Sequence, residues 1–358
     1  MENIQGTINN ENNLPTKVSL NKKLLQWLRL TKDPVVKVYN GYGHNDRLVV
    51  YGHVLGLSPL PGKRFTKNIL INAFSLLRLF MVRPYSGAIV TLNWDGKTHQ
   101  ANTEDDGFFR IEWKPDQPLS SGWHPVQVNL VKSSEGLEIV MSVGQAQVFI
   151  PHVNQYICIS DIDDTFLISH SSNLRKRLFV LLTKNAHSRQ PFEEVVRHYQ
   201  LLANAGTTPD KPNPFFFVSS SEWNLYDYIM NFAQKHSLPK GIYLLSQLKQ
   251  FSQVYKTGQN KHATKFMRIA RIVESYPQQQ YLLFGDDSQE DPNIYASIAK
   301  HFPGNVRCVY IRHVHKANRD KVKTTIMEIE KAGVECCYFS HSKEAIIHSQ
   351  KIGLIKAN

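Results

Sequence analysis

The chain has 358 residues, 42% hydrophobic and 20% charged. This globular composition has length enough for two domains, since single cores seldom grow beyond roughly 250–300 residues. Lys and Arg number 42 against 30 Asp and Glu, a formal charge of +12, which favours polyanionic partners: nucleic acid, phosphorylated substrates or an anionic membrane face. Cys158, Cys308, Cys336 and Cys337 form no CxxC pair, so neither a disulfide framework nor a zinc site is indicated, and a reducing, cytoplasmic setting is expected.

The first residues, MENIQGTINNENNLPTK, are polar and carry no apolar run of the signal-peptide kind. From Val18 to Leu30, Leu20, Leu24, Trp27 and Leu28 recur at helical spacing, with Lys22, Lys23 and Arg29 off that face. Such a basic amphipathic helix either lies on an anionic bilayer or docks on its own protein. Residues 1–33 are read as a tail plus this helix.

Residues 34–150 change to short alternating segments, such as RLVVYGHVLG, GAIVTLNWDG and WHPVQVNLV, punctuated by Gly, Asn and Asp. This is the texture of a small β-sandwich-like domain. A helical insertion is expected between Pro61 and Arg83. The most lipophilic stretch, Ile69–Val82, contains Asn72 and Arg78 and is too short to span a bilayer.

Residues 151–358 lengthen to a strand–helix rhythm. Apolar strands end at Ser160, Val218, Leu245, Phe284 and Ile311, separated by helical stretches at Phe192–Ala203, Leu225–His236, Lys265–Ser275 and Ile294–Phe302. Continuous apolar strands alternating with helices predict an α/β domain, a parallel sheet covered on both faces. Ligands bind beyond the carboxyl ends of such strands.

Those ends hold the chemistry. YICISDIDDTFLIS packs Asp161, Asp163 and Asp164 into four residues, followed by Thr165. Like charges so close disfavour one another's ionised form unless a cation sits among them. The next strand delivers Ser219, Ser220 and Ser221, and a later one Gly285, Asp286, Asp287 and, one turn on, Asp291. Lys256, Lys261 and Lys265 lie between. Gathered on one rim, this set suits phosphoryl transfer: Mg²⁺ held by carboxylates, an aspartate nucleophile, an acid/base two residues on, and hydroxyls with a lysine on the transferring oxygens.

Plainer readings stand beside each residue. Ser219 could be a helix N-cap, Asp291-Pro292 a helix start, Asp287 a turn acid and Lys265 a solvated helix residue. Trp223 reads as a packing residue. Arg175, Lys176 and Arg177 could face lipid headgroups or simply water. His313 and His315 lack a metal-site spacing, and no zinc-finger or aromatic ribonucleoprotein motif appears, so no nucleic-acid partner is expected.

S-D-I-D-D-T resembles the D-x-D-x-T signature of the haloacid dehalogenase superfamily. VSSSEWNLYDYIMNF, LPKGIYLL and YPQQQYLLFGDDSQEDPNIY resemble the catalytic domain of phosphatidate phosphatases, and YNGYGHNDRLVVYGHVLG the β domain that precedes it in bacterial relatives. The likeness spans roughly Val35–Ile311. It implies a haloacid-dehalogenase-like doubly wound sheet and a magnesium-dependent phosphatase. The implied substrate is phosphatidate or a related lipid phosphate, met through peripheral contact with an anionic membrane. Asp161 then carries over as nucleophile, Asp163 as acid/base, Thr165, Ser219 and Ser220 as substrate hydroxyls, and Asp161, Asp163, Asp286 and Asp291 as the Mg²⁺ ligands, with Asp287 a rival for the last place. Lys265 best fits the phosphate-binding lysine, with Lys261 and Lys256 as rivals. Two departures concern the substrate: Ser221-Glu222-Trp223 stands where Ser-Pro-Trp is common, and Gly285-Asp286-Asp287-Ser288 where Gly-Asp-Ser-Gly is common. The competing expectations are a soluble phosphomonoesterase of sugars or nucleotides, and a non-catalytic membrane-surface adaptor.

Overall fold

The structure is a computed structural model that describes residues 30–59, 78–134, 137–153, 155–162, 194–246 and 261–356. The expected helix before Leu30, most of the insertion after Pro61, the basic run at Arg175, and Asp163, Asp164, Thr165 and Lys256 lie outside the described residues.

Alternating apolar and polar residues build the first sheet. Its strands are β1 (Leu30–Thr31), β2 (Val35–His44), β3 (Arg47–Pro59), β4 (Arg83–Pro84), β5 (Ile89–Trp94), β6 (Lys97–Asn102), β7 (Phe108–Trp113), β8 (Gly122–Ser134) and β9 (Leu137–Ile150). The order is β1-β3-β2-β9-β8-β5-β6, with β4 and β7 also paired to β3. All pairings are antiparallel except β2 with β9. The path folds over itself, because Val90 and Leu92 of β5 share a core with Phe109 and Ile111 of β7, strands that are not paired. In β8, Val126, Val128 and Leu130 turn into that core at the period of two that a half-buried strand requires.

The second sheet is parallel. It comprises β10 (Ile157–Ser160), β11 (Phe215–Glu222), β12 (Gly241–Ser246), β13 (Tyr281–Asp286), β14 (Val306–Arg312) and β15 (Glu335–Phe339), in the order β12-β11-β10-β13-β14-β15. Helices α1 (Val195–Ala203), α2 (Tyr226–Lys235), α3 (Lys261–Ser275), α4 (Asp291–His301), α5 (Arg319–Lys331) and α6 (Ser342–Lys351) cover it. Alternate strand residues feed opposite faces. Cys158, Phe215, Phe217 and Phe284 pack with α1, α2 and α6, while Ile157, Ile159, Phe216 and Leu283 pack with α3, α4 and α5. Burial on both faces is why these strands read as unbroken apolar runs. The chain fills the sheet outward from β10 to β12, then returns to β13 and fills the other side. That reversal, between β10 and β13, is where open α/β sheets place their ligands.

Several sequence-based boundaries move. Strand β11 continues through the serines to Glu222, and α2 starts only at Tyr226, so Ser219 is a strand residue and not a helix N-cap. Helix α3 starts at Lys261, which puts Lys265 one turn inside rather than at its opening. Helices α1 and α4 begin at Val195 and Asp291, not Phe192 and Ile294. Strand β15 and helices α5 and α6 extend the fold past Ile311, where the reading had no strand.

The two sheets meet through aromatic side chains. Tyr39 stacks on Trp223 with ring centroids 4.1 Å apart, the packing role expected for that tryptophan. Tyr42 meets Phe216 edge-on, Tyr276 Oη donates to the Gly43 carbonyl at 3.0 Å, and Lys37 Nζ bonds Asp227 at 2.6 Å.

Candidate active site

Strand β10 ends at Ser160, and the next residue, Asp161, is 1% exposed. Its N–H donates to the Phe284 carbonyl at 2.8 Å, and Tyr295 Oη donates to the same carbonyl at 2.7 Å. One oxygen of β13 thus ties the exit of β10 to helix α4. Ser160 Oγ bonds Tyr199 Oη at 2.8 Å and the Asp161 carbonyl at 2.6 Å, fixing the same turn from the α1 face. Asp286 closes β13, fully buried, and its Oδ1 accepts the Ser288 N–H at 2.5 Å. Asp291 opens α4 ahead of Pro292, where an acid complements the helix dipole and proline loses no hydrogen bond.

Among the described residues, Asp161, Asp286 and Asp291 each offer a carboxylate oxygen, and the three oxygens lie within 4.8 Å of one another. Lys265 reaches into this group from α3. Its Nζ donates to Asp161 Oδ1 at 2.7 Å and to Asp291 Oδ1 at 2.5 Å. Burial alone would lower the Lys265 ammonium, but Asp161 and Asp291 outweigh it and hold the group above the ordinary lysine range. It is a buried, paired cation rather than a solvated helix residue. Among the described residues, Lys265 thus bonds two of the three clustered carboxylates. Asp291 Oδ2 is buried and has no hydrogen-bond partner among the described residues. An all-oxygen, electron-rich set with an unsatisfied carboxylate oxygen fits a hard divalent cation such as Mg²⁺.

Gly285 is required for this approach. A Cβ there would stand 2.6 Å from Asp291 Oδ2 and 2.8 Å from both Asp291 Cβ and the Tyr295 ring. The glycine is what lets α4 bring its first acid against the end of β13.

Asp287, the rival acid, goes elsewhere. It is fully buried, and its carboxylate accepts from Tyr338 Oη at 2.7 Å and from the N–H groups of Val314 and His315, each at 2.8 Å, while bonding His313 Nδ1 at 2.6 Å. It fastens the loop after β14 and is not one of the three clustered acids.

The serines are brought to the same rim. Parallel register sets Ser160 beside Phe217, so Ser219 lies two residues further along the neighbouring strand, beside the exit of β10. Ser219 is fully buried and its Oγ accepts the Ser221 N–H at 2.9 Å. The Ser220 carbonyl accepts from Ser246 Oγ at 2.8 Å. Lys261 starts α3, four residues before Lys265.

Two arginines escaped the sequence reading. Arg268 Nη1 donates to the Ser219 carbonyl at 3.1 Å, and Arg312, at the end of β14, donates to Ser342 Oγ at 2.7 Å. Burial pushes each guanidinium down to about 10; beside Arg312, Tyr199, Asp286 and Glu344 pull the other way. The signal for Arg268 was its place three residues after Lys265, on the same helical face; Arg312 is the strand-end residue next to Ile311.

Carboxylates and a lysine thus gather at the reversal point of a parallel α/β sheet. Residues 156–313 match the family described as phosphatidate phosphatase APP1, catalytic domain. The chain is 26% identical over 156 residues to phosphatidate phosphatase APP1 of Saccharomyces cerevisiae, covering 43% of this chain and 25% of that protein. It is 24% identical over 215 residues to an uncharacterized protein of Schizosaccharomyces pombe, covering 59% and 34%. The chain thus spans between a quarter and about a third of the length of these curated relatives. Among solved structures, a bacterial immunoglobulin-like domain of the M. primoryensis ice-binding adhesin aligns with 34% of this chain and 97% of its own, at 11% identity and a TM-score of 0.18, too low to bear on the fold.

Proposed function

We propose that this protein is a magnesium-dependent phosphatase with a haloacid-dehalogenase-like catalytic domain, hydrolysing phosphatidate or a closely related lipid phosphate to diacylglycerol and phosphate. The observation that carries the reading is the convergence of Asp161, Asp286 and Asp291 within 4.8 Å, with Lys265 bonded to the first and third. The lipid substrate is supported by the family match over residues 156–313.

Asp161, Asp286 and Asp291 are the groups that would hold Mg²⁺. Bound there, the ion supplies Lewis acidity and neutralises charge on the phosphate and the attacking carboxylate, which otherwise repel. Asp161 is the nucleophile. One of its oxygens bonds to phosphorus as the bond from phosphorus to the ester oxygen breaks, and Asp163 gives the leaving alkoxide its proton. Asp163 then takes a proton from water, which cleaves the acyl phosphate and restores Asp161. Splitting the reaction in this way avoids direct attack of water on a dianion. The role of Asp163 rests on the D-x-D-x-T motif. Lys265 orients Asp161 Oδ1 and offsets its charge, while Thr165, Ser219 and Ser220 supply hydroxyls for the transferring oxygens.

The test is phosphate release from phosphatidate vesicles and from a water-soluble ester, with Mg²⁺ and with EDTA. Vesicle phosphatidate should be hydrolysed in preference, EDTA should abolish release, and Asp161→Asn should lower it by roughly a thousandfold or more. Unchanged release by Asp161→Asn would refute the mechanism, and preference for the soluble ester would refute the substrate.

A further inference from the structure

A phosphomonoester brings about two negative charges at neutral pH into a place lined by Asp161, Asp286 and Asp291. Lys265 is committed before it arrives. An ammonium has three N–H donors, and Lys265 spends its hydrogen bonds on Asp161 Oδ1 and Asp291 Oδ1. Little of this cation is left for a phosphate, but helix α3 carries another.

Arg268 lies three residues after Lys265, on a neighbouring part of the helix surface. Helical side chains lean towards the N-terminus of their helix, and for α3 that is the end that meets the carboxylate rim. Arg268 Nη1 accordingly donates to the Ser219 carbonyl at 3.1 Å. The carbonyl oxygen and Oγ of one serine are close neighbours. The guanidinium therefore lies within about 8 Å of the Ser219 hydroxyl, a span that one phosphate covers with a hydrogen bond at each end.

The surroundings of Arg268 point the same way. The side chain is half-buried, and burial pushes the guanidinium down to about 10, with Arg271 adding like-charge repulsion. The acid of α3, Glu274, stands six residues on, exposed and off that face. Among the described residues, the bonded acceptor of Arg268 is a neutral carbonyl and not a carboxylate. Charges taken out of water are ordinarily paired, because desolvation is costly without an opposite charge. A guanidinium has five N–H donors in a planar fork that matches phosphate oxygens, and the contact with Ser219 leaves most of that fork open.

We infer that Arg268 is a substrate-binding residue whose guanidinium bridges the Ser219 carbonyl and a nonbridging oxygen of the substrate's phosphate. This deepens the phosphatase reading and rests on it for the place of the phosphate beside Asp161 and Ser219. The empty fold carries the desolvation of the guanidinium, and the arriving anion completes the pair.

Inorganic phosphate is the probe, titrated calorimetrically into the full chain with Mg²⁺. Arg268→Gln should weaken its binding about ten- to a hundredfold, and Arg268→Lys, which keeps the charge but not the fork, by less. In release from a soluble ester, Arg268→Gln should raise KM by a similar factor and lower kcat far less, because the contact exists before and during transfer. A merely structural arginine would behave otherwise. Without ligand, the Arg268→Gln protein should melt within about 2 °C of wild type or above it, since it gives up an unpaired charge. A lower melting point, or failure to fold, would mean that an acid of this chain already holds the guanidinium, and would overturn the assignment. Equal phosphate affinity in Arg268→Gln, or a fall in kcat alone, would do so too. Failure of the phosphatase reading would look different: no ester would release phosphate, while wild type still bound the anion and Arg268→Gln bound it weakly.

Discussion

Replacing Lys265 by Met keeps the length and packing of the side chain and removes its charge. In the native site Nζ lies 2.7 Å from Asp161 Oδ1 and 2.5 Å from Asp291 Oδ1, with all three side chains almost wholly buried. At an effective dielectric constant near 20, each contact is worth about 6 kcal/mol of Coulomb attraction. Desolvation cancels much of this, and breaking a buried pair by removing one partner costs about 3–5 kcal/mol in practice. The metal-free variant should therefore melt roughly 4–7 °C lower at neutral pH, for a single transition of the 358-residue chain. Two further signs identify the cause. Lowering the pH should narrow the gap, because protonation relieves the uncompensated carboxylates. Added Mg²⁺ should stabilise the variant, by about 2.7 kcal/mol at a hundredfold excess over its dissociation constant. Differential scanning calorimetry with and without the ion reads both. A midpoint within about 2 °C of wild type would show that the lysine does not hold the acids together.

Other outcomes follow from the same geometry. Gly285→Ala places a methyl 2.6 Å from Asp291 Oδ2, so it should displace Asp291 and weaken Mg²⁺ binding roughly 10–100-fold by isothermal titration calorimetry; unchanged affinity would remove Asp291 from the metal site. Asp287→Asn should lower stability by about 1–3 kcal/mol, since it weakens the bonds to His313, Tyr338, Val314 and His315, while leaving Mg²⁺ affinity near wild type. Burial, reinforced by Lys37 for His53 and by Arg312 and His348 for His198, holds both imidazoles down at about 3. The unfolded chain binds these protons near pH 6.5, so it takes up more protons than the fold between those values. The stability they contribute is complete above about pH 6.5 and is lost as pH falls towards 3, by about 2 kcal/mol per histidine at pH 5. Urea titrations at pH 7 and pH 5 measure the loss, and a double His53→Gln, His198→Gln variant should show much less of it.

The strand–helix alternation was readable because strands such as Phe215–Val218 are buried on both faces, and that burial writes an unbroken apolar run. Residue types at the strand ends pointed to Asp161, Asp163 and Asp286 with either Asp287 or Asp291 and one of Lys256, Lys261 and Lys265, and the family resemblance singled out Asp291 and Lys265. What could not be read were facts of the third dimension. Asp287 and Asp291 are both acids near one strand end, and only the turn into α4, permitted by Gly285, separates the clustered acid from the loop fastener. Ser219 resembled a cap because Ser-Ser-Ser-Glu precedes a helix, yet β11 pairs with β12 as far as Glu222, and ladder pairing overrode local propensity. Strand β15 escaped notice because it is an edge strand with a mixed, partly exposed sequence, Glu-Cys-Cys-Tyr-Phe. Arg268 and Arg312 look like surface charges in one dimension, yet folding half-buries the first and buries the second.

The aromatic seam between the sheets has a consequence for how the protein can be handled. Tyr39 and Leu55 belong to the apolar cluster on one face of the parallel sheet, and Tyr42, Val49 and Phe149 to the cluster on the other. Cutting the chain near residue 150 would therefore strip both layers at once and expose Phe216 and Trp223 to water. Excision of the family-matched stretch should yield a sticky fragment rather than a minimal enzyme, and intact protein should melt in a single transition.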